Sequence, residues 1–458
     1  MSLIPIILAA GQGTRMRSAL PKVLHPLAGK PLLQHVIDAC CASGVTRAVI
    51  VYGHGGEQVQ QAVHADASMQ LDWALQAEQK GTGHAVAQGM ATVADDDTVL
   101  VAYGDVPLVR SQTLEALAQG LEGSALCVLT TMVTDPSGYG RIVRDAQGRV
   151  TAIVEEKDAD APTRLIREIN TGFIAARGAD LKRWLARLSP QNAQGEYYLT
   201  DCVGLAVAEG LPVSTVACAD ALEVEGVNNR LQLARLEREA QRRQVERLML
   251  EGVTVADPAR LDARGSVSTG QDVFLDVNVV LTGHVVLGNR VTVGPGCVLT
   301  DVEIGDDCHI HAHSVLDGAR LGAGCHVGPF ARLRPDTVLE ETARVGNFVE
   351  IKKARIGRGS KVNHLSYIGD TEMGTGVNIG AGTITCNYDG VNKHLTRIGD
   401  RVFIGSCSQL VAPVTVEEDA VIGAGSTITR TAPAGRLTLA RARQVTINDW
   451  QRPVKEKK

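Results

Sequence analysis

LGNRVTVGPGCVLTDVEIGDDCHI, residues 287–310, places an aliphatic side chain at 287, 293, 299, 304 and 310. Steps of six, with one of five, match neither the 3.6-residue turn of a helix nor the two-residue alternation of a half-buried strand. They match a coil in which each hexad forms one side. The register extends back to Leu281 and Leu275. It runs forward through Leu316, Leu321, Val327, Leu333, Leu339, Val345, Ile351, Ile356, Val362, Ile368, Met373 and Ile379, and resumes after a break at Ile398, Ile404, Leu410, Val416, Ile422 and Ile428. Glycine often follows the aliphatic residue, and the fifth position is small or β-branched. The pattern predicts a left-handed parallel β-helix beginning after about residue 265. Three hexads make a triangular coil, and about nine coils at ~4.8 Å spacing give a prism roughly 40–45 Å long. The aliphatic position points inward and the fifth packs beneath it. Cys297, Cys308 and Cys325 fall at the fifth position and are expected to be small core fillers, not catalytic thiols. The break predicts that TCNYDGVNKHLT, residues 385–396, leaves the coil and returns, and such insertions often line a binding face.

Upstream the texture differs. PIILAA, RAVIVYG, DTVLVAYGD and ALCVLTTMV alternate with helix-like segments such as PLLQHVIDACCASG and SQTLEALAQGL. This predicts an α/β domain with a largely parallel sheet. Residues 228–250, NNRLQLARLEREAQRRQVERLML, lack Gly and Pro and read as one long connecting helix. The expected organisation is an α/β Rossmann-like domain over 1–227, a linker helix over 228–250, and the β-helix with a C-terminal tail over 251–458.

The 458 residues exceed one ordinary core. A net charge of −5 gives no nucleic-acid footprint. The N-terminus lacks a basic lead and a cleavage pattern, and no apolar run approaches the ~18 residues of a membrane helix. A cytoplasmic protein that binds no membrane is expected. The ten cysteines are scattered without a CxxC pair, which suits reduced thiols.

LAAGQGTRM, residues 8–16, follows the first strand. Its glycines permit close approach of backbone N–H groups to a phosphate. It is neither GxxxxGK[ST] nor GxGxxG. Arg15 lies in the turn and Lys22 about seven residues on, two cations suited to a polyphosphate leaving group. Asp105 ends a strand at the edge where α/β sites lie.

The N-terminal segment LAAGQGTRM…LPKVLHPLAGKPLLQHV resembles the sugar-1-phosphate nucleotidylyltransferases. QAEQKGTGHA (76–85), YGDVPL (103–108), GYGRIV (138–143), VEEKD (154–158), EINTGF (168–173) and EVEGVNNR (223–230) follow in that family's order. With the β-helix attached, the whole chain resembles the bacterial bifunctional N-acetylglucosamine-1-phosphate uridylyltransferase/glucosamine-1-phosphate N-acetyltransferase family. The resemblance implies acetylation of glucosamine 1-phosphate by acetyl-CoA. UMP transfer from UTP then yields UDP-N-acetylglucosamine, which feeds peptidoglycan and lipopolysaccharide synthesis. It implies Mg²⁺ on Asp105 and Asn228, with Arg15 and Lys22 stabilising the triphosphate and the departing pyrophosphate. The nucleotide and its sugar product would meet Leu8, Ala9, Ala10, Gly11, Lys22, Tyr103, Gly104 and Asp105. Gln76, Gly81 and Thr82 would read the base. Gly140, Glu155, Asn170 and Asn228 would hold the sugar, although the permissive VEEKD motif leaves Glu155 and Glu156 both open.

The register permits a reading of the β-helix independent of any family. Residues one coil apart stack at about 4.8 Å. Arg334 and Lys352, both at position two, should therefore be neighbours, and adjacent cations suit an anion between them. Glu350 and Tyr367 stack at position six. His364, at position three, points outward between its coil-mates Asn347 and Ala381. An ordinary imidazole pKa of about 6.5 suits a general base for an amine attacking a thioester. The resemblance assigns His364 as the proton acceptor, and Arg334, Lys352, Tyr367, Asn378 and Lys393 as the amino-sugar phosphate set. It assigns Ala381, Asn387, Tyr388, Ser406, Ala424 and Arg441 to acetyl-CoA. Such prisms commonly form homotrimers with sites between subunits, and the tail containing RLTLARARQ is expected to leave the prism after Ile428. HIHAH, residues 309–313, with His326 raises a zinc reading. It is set aside on the expectation that His311 and His313, at positions two and four, diverge from the stacked pair His309 and His326. The rival readings are a single-activity nucleotidylyltransferase, such as an ADP-glucose pyrophosphorylase, with a structural or regulatory β-helix, and a non-catalytic scaffold.

Overall fold

The computed structural model describes residues 2–11, 13–53 and 55–455. It divides into two compact units, residues 1–240 and 241–458. Gln12 of the glycine-rich turn lies outside the described residues.

In the first unit, the strands run in the order Val213–Cys218, Leu126–Met132, Glu168–Arg177, Thr98–Tyr103, Leu3–Ala9, Arg47–Tyr52, Gln70–Leu75. Glu168–Arg177 is antiparallel to both neighbours, and the other pairings along this path are parallel. The strands are near-continuous apolar runs because both faces are covered. Ile7, Ile50 and Leu100 join one core cluster with Leu33, Val36 and Ile37 of the helix Leu32–Ala42. Ile6, Val49 and Val101 join the other with Val86 of the helix Thr82–Gly89. The carboxyl ends of the central parallel strands form one edge, at Ala9, Tyr52 and Tyr103.

The long helix spans Arg230–Leu250, and the division between the units falls within it. Leu236 packs with Met16, Leu27 and Leu32 of the first unit. Val245 and Leu248 belong to the core of the second. At the division, Gln241 Oε1 accepts the backbone N–H of Ala263 at 2.7 Å.

The second unit is a left-handed parallel β-helix of hexapeptide repeats. One prism face is an eleven-stranded ladder from Thr254–Val255 to Leu437–Thr438. Ten spacings of ~4.8 Å make that face roughly 48 Å long. The register residues are buried and form one continuous core with Cys297, Cys308 and Cys325, each 0% exposed. Each buried Leu or Ile contributes about 1.5–3 kcal/mol against conformational entropy.

Three boundaries differ from the sequence reading. The prism starts earlier: Leu261–Thr269 already pairs in register with Val279–Leu287, its Arg264 and Gly265 having hidden the hexads. It ends later, because Leu437–Thr438 pairs with Val421–Ile422 and the tail departs after Ala440, whose carbonyl accepts from Thr427. The insertion is shorter. Thr385 pairs with Leu410 and is 0% exposed, so it is the inward residue of its coil. Its hydroxyl donates to Gly369 O at 3.1 Å, which lets a polar side chain occupy an aliphatic position. The chain leaves after Cys386 and is back in the ladder at Thr396.

Candidate functional sites

The first strand ends at Ala9, and the chain turns through the glycine-rich segment into the short 3₁₀ helices Thr14–Met16 and Lys22–Leu24. Gly13 has φ 62°, and a Cβ there would lie 2.6 Å from Lys22 Cβ. Only glycine lets the Lys22 stem cross the turn. Lys22 Nζ forms an ion pair with Asp105, both side chains being about seven-eighths buried. Arg15 donates to Asn228 Oδ1 at 3.1 Å. Each cation of the turn is therefore paired with one of the two expected metal ligands. Asp105 is held by its carbonyl, which accepts from Val227 at 2.8 Å. The Asn228 N–H donates to Gln232 at 2.8 Å. A carboxylate and an amide, both hard oxygen donors, suit an ion such as Mg²⁺ that takes its remaining ligands from water and phosphates.

These residues open onto a cleft of about 620 Å³, also lined by Leu8, Ala9, Ala10, Gly11, Gln76, Gly81, Thr82 and Tyr103. Gly104 sits behind it, its N–H donating to Leu8 O at 2.9 Å. Burial and the nearby Glu155 and Asp105 carboxylates hold the Tyr103 phenol above its ordinary range, so it stays protonated. Gly81 has φ 102°, and a Cβ would meet Tyr197 O at 2.7 Å. That glycine lets residues 80–84 close against 196–199, where Tyr197 N–H donates to Lys80 O and Gly83 N–H to Tyr197 O, both at 2.8 Å.

Gly140, Glu155 and Asn170 form an adjoining cluster. Asn170 N–H donates to Gly140 O at 2.8 Å, and a Cβ on Gly140 would lie 3.4 Å from the Glu155 carboxylate. Thr200 donates to Glu155 Oε1 at 3.1 Å, and burial raises the Glu155 carboxyl. Glu156 is engaged elsewhere. Arg141, 1% exposed, donates to it at 2.5 Å and holds its carboxyl low. The geometry separates the two glutamates that the motif left open, placing Glu155 beside Gly140. Gln79, Tyr139, Thr171 and Glu196 also line the cleft and were not singled out from sequence. Gln79 donates to Ala10 O, and its position between Gln76 and Gly81 in QAEQKG was the available signal.

On the β-helix, Asn347 and His364 are paired in register, and Asn347 Oδ1 lies 3.2 Å from His364 Nδ1. An amide oxygen only accepts, so Nδ1 carries the proton and Nε2 the lone pair. A column rises from this corner through backbone bonds. His364 O accepts from Gly382, Ala381 O from Cys407, and Ser406 O from Gly425. Arg441 caps it, donating to Ala424 O at 2.7 Å. Ala381, Ser406 and Ala424 thus stand in successive coils beyond His364.

Glu350 and Tyr367 are register partners. Arg334, whose N–H donates to Ile351 O at 2.8 Å, is stacked next to Lys352, but its guanidinium is drawn to Glu350 at 3.0 Å. The Lys393 amine beside Lys352 lowers the Lys352 ammonium. Asn387 is 7% exposed and donates to Asp370, a partner the sequence reading missed. Tyr388 is exposed and pairs across the insertion with Lys393. Asn378 belongs to the eleven-stranded face that also carries Asn347 and His364, its strand pairing with the His364 strand, whereas Glu350 and Tyr367 belong to the next face.

The histidine cluster requires a correction. His311 does converge on His309 and His326, with ring centroids 6.5 and 5.9 Å away and the other two 4.8 Å apart. Only His313 departs, stacking on Phe330 at 5.1 Å. His311 sits at a coil corner, and its ring folds back over the face. The three rings lie 16–28° from parallel. Imidazole lone pairs lie in the ring plane, so stacked rings do not aim at one ion. Among the described residues no group of three or more His, Cys, Asp or Glu is arranged to hold a metal.

No helix among the described residues is long and apolar enough to cross a membrane. Residues 5–169 match the model of the MobA-like NTP transferase domain. Residues 263–356 match the GMPPB C-terminal domain, and residues 395–430 match the bacterial transferase hexapeptide of six repeats. The chain joins an N-terminal nucleotidyltransferase domain to a C-terminal left-handed β-helix built of hexapeptide repeats.

Proposed function

We propose that the chain is a bifunctional enzyme that makes UDP-N-acetylglucosamine. The β-helix acetylates glucosamine 1-phosphate with acetyl-CoA, and the N-terminal domain transfers UMP from UTP to the N-acetylglucosamine 1-phosphate so formed. The observation that carries this reading is the presence of two separately assembled sites. One is the Lys22, Asp105, Arg15 and Asn228 constellation in a nucleotide-sized cleft. The other is His364, oriented by Asn347 at the foot of a column of small residues.

In acetyl transfer, the sugar amine attacks the thioester carbonyl carbon while His364 Nε2 takes the amine proton. Collapse of the tetrahedral intermediate releases the CoA thiol. Asn347 holds the imidazole in the required tautomer. Arg334, Lys352, Tyr367 and Lys393 hold the sugar phosphate. Ala381, Ser406 and Ala424 leave room for the CoA arm, with Arg441, Asn387 and Tyr388 around it. Asn378 lies on a different face from Tyr367, so one chain does not gather the whole amino-sugar set on a single surface. A second copy closing over the His364 corner supplies the missing side, and a homotrimer is the assembly proposed.

In uridylyl transfer, the sugar phosphate oxygen attacks the α-phosphorus of UTP and pyrophosphate leaves. The nucleophile is already anionic, so the site positions and neutralises. Gln76, Gly81 and Thr82 take the base, and Gly140, Glu155 and Asn170 take the sugar. Lys22 and Arg15 leave their carboxylate and amide partners for the phosphates. Mg²⁺ on Asp105 and Asn228 would supply further charge neutralisation.

The test is a coupled assay with glucosamine 1-phosphate, acetyl-CoA, UTP and Mg²⁺, omitting one component at a time. Pyrophosphate should require all four, and N-acetylglucosamine 1-phosphate should replace the first two. Pyrophosphate release without acetyl-transfer activity would leave a single-activity nucleotidylyltransferase.

A further inference from the structure

Gln76 is 5% exposed and sits at the cleft wall after the strand Gln70–Leu75. Its amide nitrogen lies 3.3 Å from Gly81 O and 3.1 Å from His84 Nδ1. A carbonyl oxygen only accepts, so the amide atom facing Gly81 must be the NH₂ group. Both amide hydrogens are then spent, one on Gly81 and one on the His84 Nδ1 lone pair. This places the His84 proton on Nε2, where Gln88, one helical turn on, lies 3.4 Å away. Gln88 Nε2 donates to the His84 backbone carbonyl at 3.4 Å, so the shorter contact, from Gln76 at 3.1 Å, decides the tautomer. The Tyr197 ring flanks His84 at 6.5 Å. What Gln76 offers the cleft is therefore an acceptor oxygen and no donor.

We propose that His84 is a specificity-determining residue. By holding the Gln76 amide in one orientation, it makes the site select a base with a ring N–H, such as uracil, over cytosine, whose N3 is an acceptor. The proposal rests on the reading of Gln76 as a base contact. His84 touches no substrate; it acts through Gln76. Gly81 lines the same cleft, its N–H takes no partner among the described residues, and on this proposal it donates to a pyrimidine carbonyl. Uracil matches both, with its N3–H toward Gln76 and its O4 toward Gly81. Cytosine places an acceptor against Gln76 and an amino donor against Gly81, which reverses both contacts. Without His84 the amide loses one of the two acceptors that fix it, and a rotation that presents NH₂ to the base becomes accessible.

The test compares kcat/KM for UTP and CTP in the full chain. In His84→Leu the UTP:CTP ratio should fall about tenfold or more, the scale of one mismatched hydrogen bond. His84→Asn, whose side-chain oxygen can accept the same N–H, should recover most of it. Acetyl transfer by the β-helix should be unchanged in both. His84→Phe, which keeps the ring and removes the acceptor, serves if the leucine variant does not fold. An unchanged ratio in a folded variant that still uses UTP overturns the role of His84. A wild-type protein that shows no preference for UTP overturns the reading beneath it.

Discussion

Lys22 Nζ and Asp105 form an ion pair across 83 residues of chain, at the mouth of the nucleotide-sized cleft. The pair occupies the place where a metal and a triphosphate are proposed to bind. A carboxylate already neutralised by an ammonium is a poor site for a free divalent cation. Metal should bind with the nucleotide, whose phosphates accept Lys22 as Asp105 is released. Mn²⁺ titrated into the nucleotide-free protein should bind weakly and tighten when a non-hydrolysable UTP analogue is added. Lys22→Met should cost uridylyl transfer roughly 10²–10³-fold and leave acetyl transfer intact. Tight nucleotide-free Mn²⁺ binding at Asp105 would contradict this account.

His364→Ala should remove acetyl transfer and spare both folding and uridylyl transfer, because the residue is exposed. Asn347→Ala should lower acetyl-transfer kcat about tenfold or more by freeing the tautomer, with little change in the KM for acetyl-CoA. Parallel loss of both activities in His364→Ala would make the histidine structural.

Burial holds the Glu155 carboxyl above its ordinary range. A carboxyl that binds its proton more tightly when folded costs stability as pH rises through that window. Glu155→Gln removes the buried charge and keeps an oxygen for Thr200. Its melting temperature should exceed that of the wild type at about pH 8, and the gain should fade toward about pH 4. Uridylyl transfer should fall about tenfold, the scale of one charge-assisted hydrogen bond. Thermal unfolding across pH, set beside pyrophosphate release, checks both halves.

The imidazoles of His311 and His326 are lowered, first by burial and then by the neighbouring His309. Arg344, the register partner of His326, adds to the effect on that ring. A base held neutral by the fold loses stability as pH falls through its unfolded value of about 6.5. The β-helix should therefore melt at lower temperature at about pH 5.5 than at about pH 7.5. His311→Gln with His326→Gln should flatten that slope. A slope unchanged in the double variant would place the sensitivity elsewhere.

Cys407 is exposed, whereas Cys297, Cys308 and Cys325 are fully enclosed in the prism. A thiol reagent should label Cys407 at once and reach the three enclosed thiols only on unfolding. Cys308→Ala should cost about 1 kcal/mol, as expected for a small core truncation.

The hexad register was legible along the chain because the geometry that produces it is local. An inward aliphatic residue every five or six positions leaves little freedom in which side chains share a rung. The pairs Glu350 with Tyr367, Asn347 with His364, and His309 with His326 all followed from counting. Counting failed where a hydrogen bond replaced an aliphatic side chain, as at Thr385, and where a corner residue folded its ring over the face, as at His311. In the α/β domain, the motifs identified the chemistry but not the partnerships. That Lys22 rests on Asp105 and Arg15 on Asn228, 83 and 213 residues away, depends on how distant segments return to one sheet edge. The division of labour between Glu155 and Glu156 has the same origin. Adjacent in sequence, they alternate across a strand end, one turned to Thr200 and Gly140, the other to the buried Arg141. Rung spacing follows from backbone covalent geometry and so can be read along the chain, whereas a side chain's partner depends on which surfaces the folded core brings together.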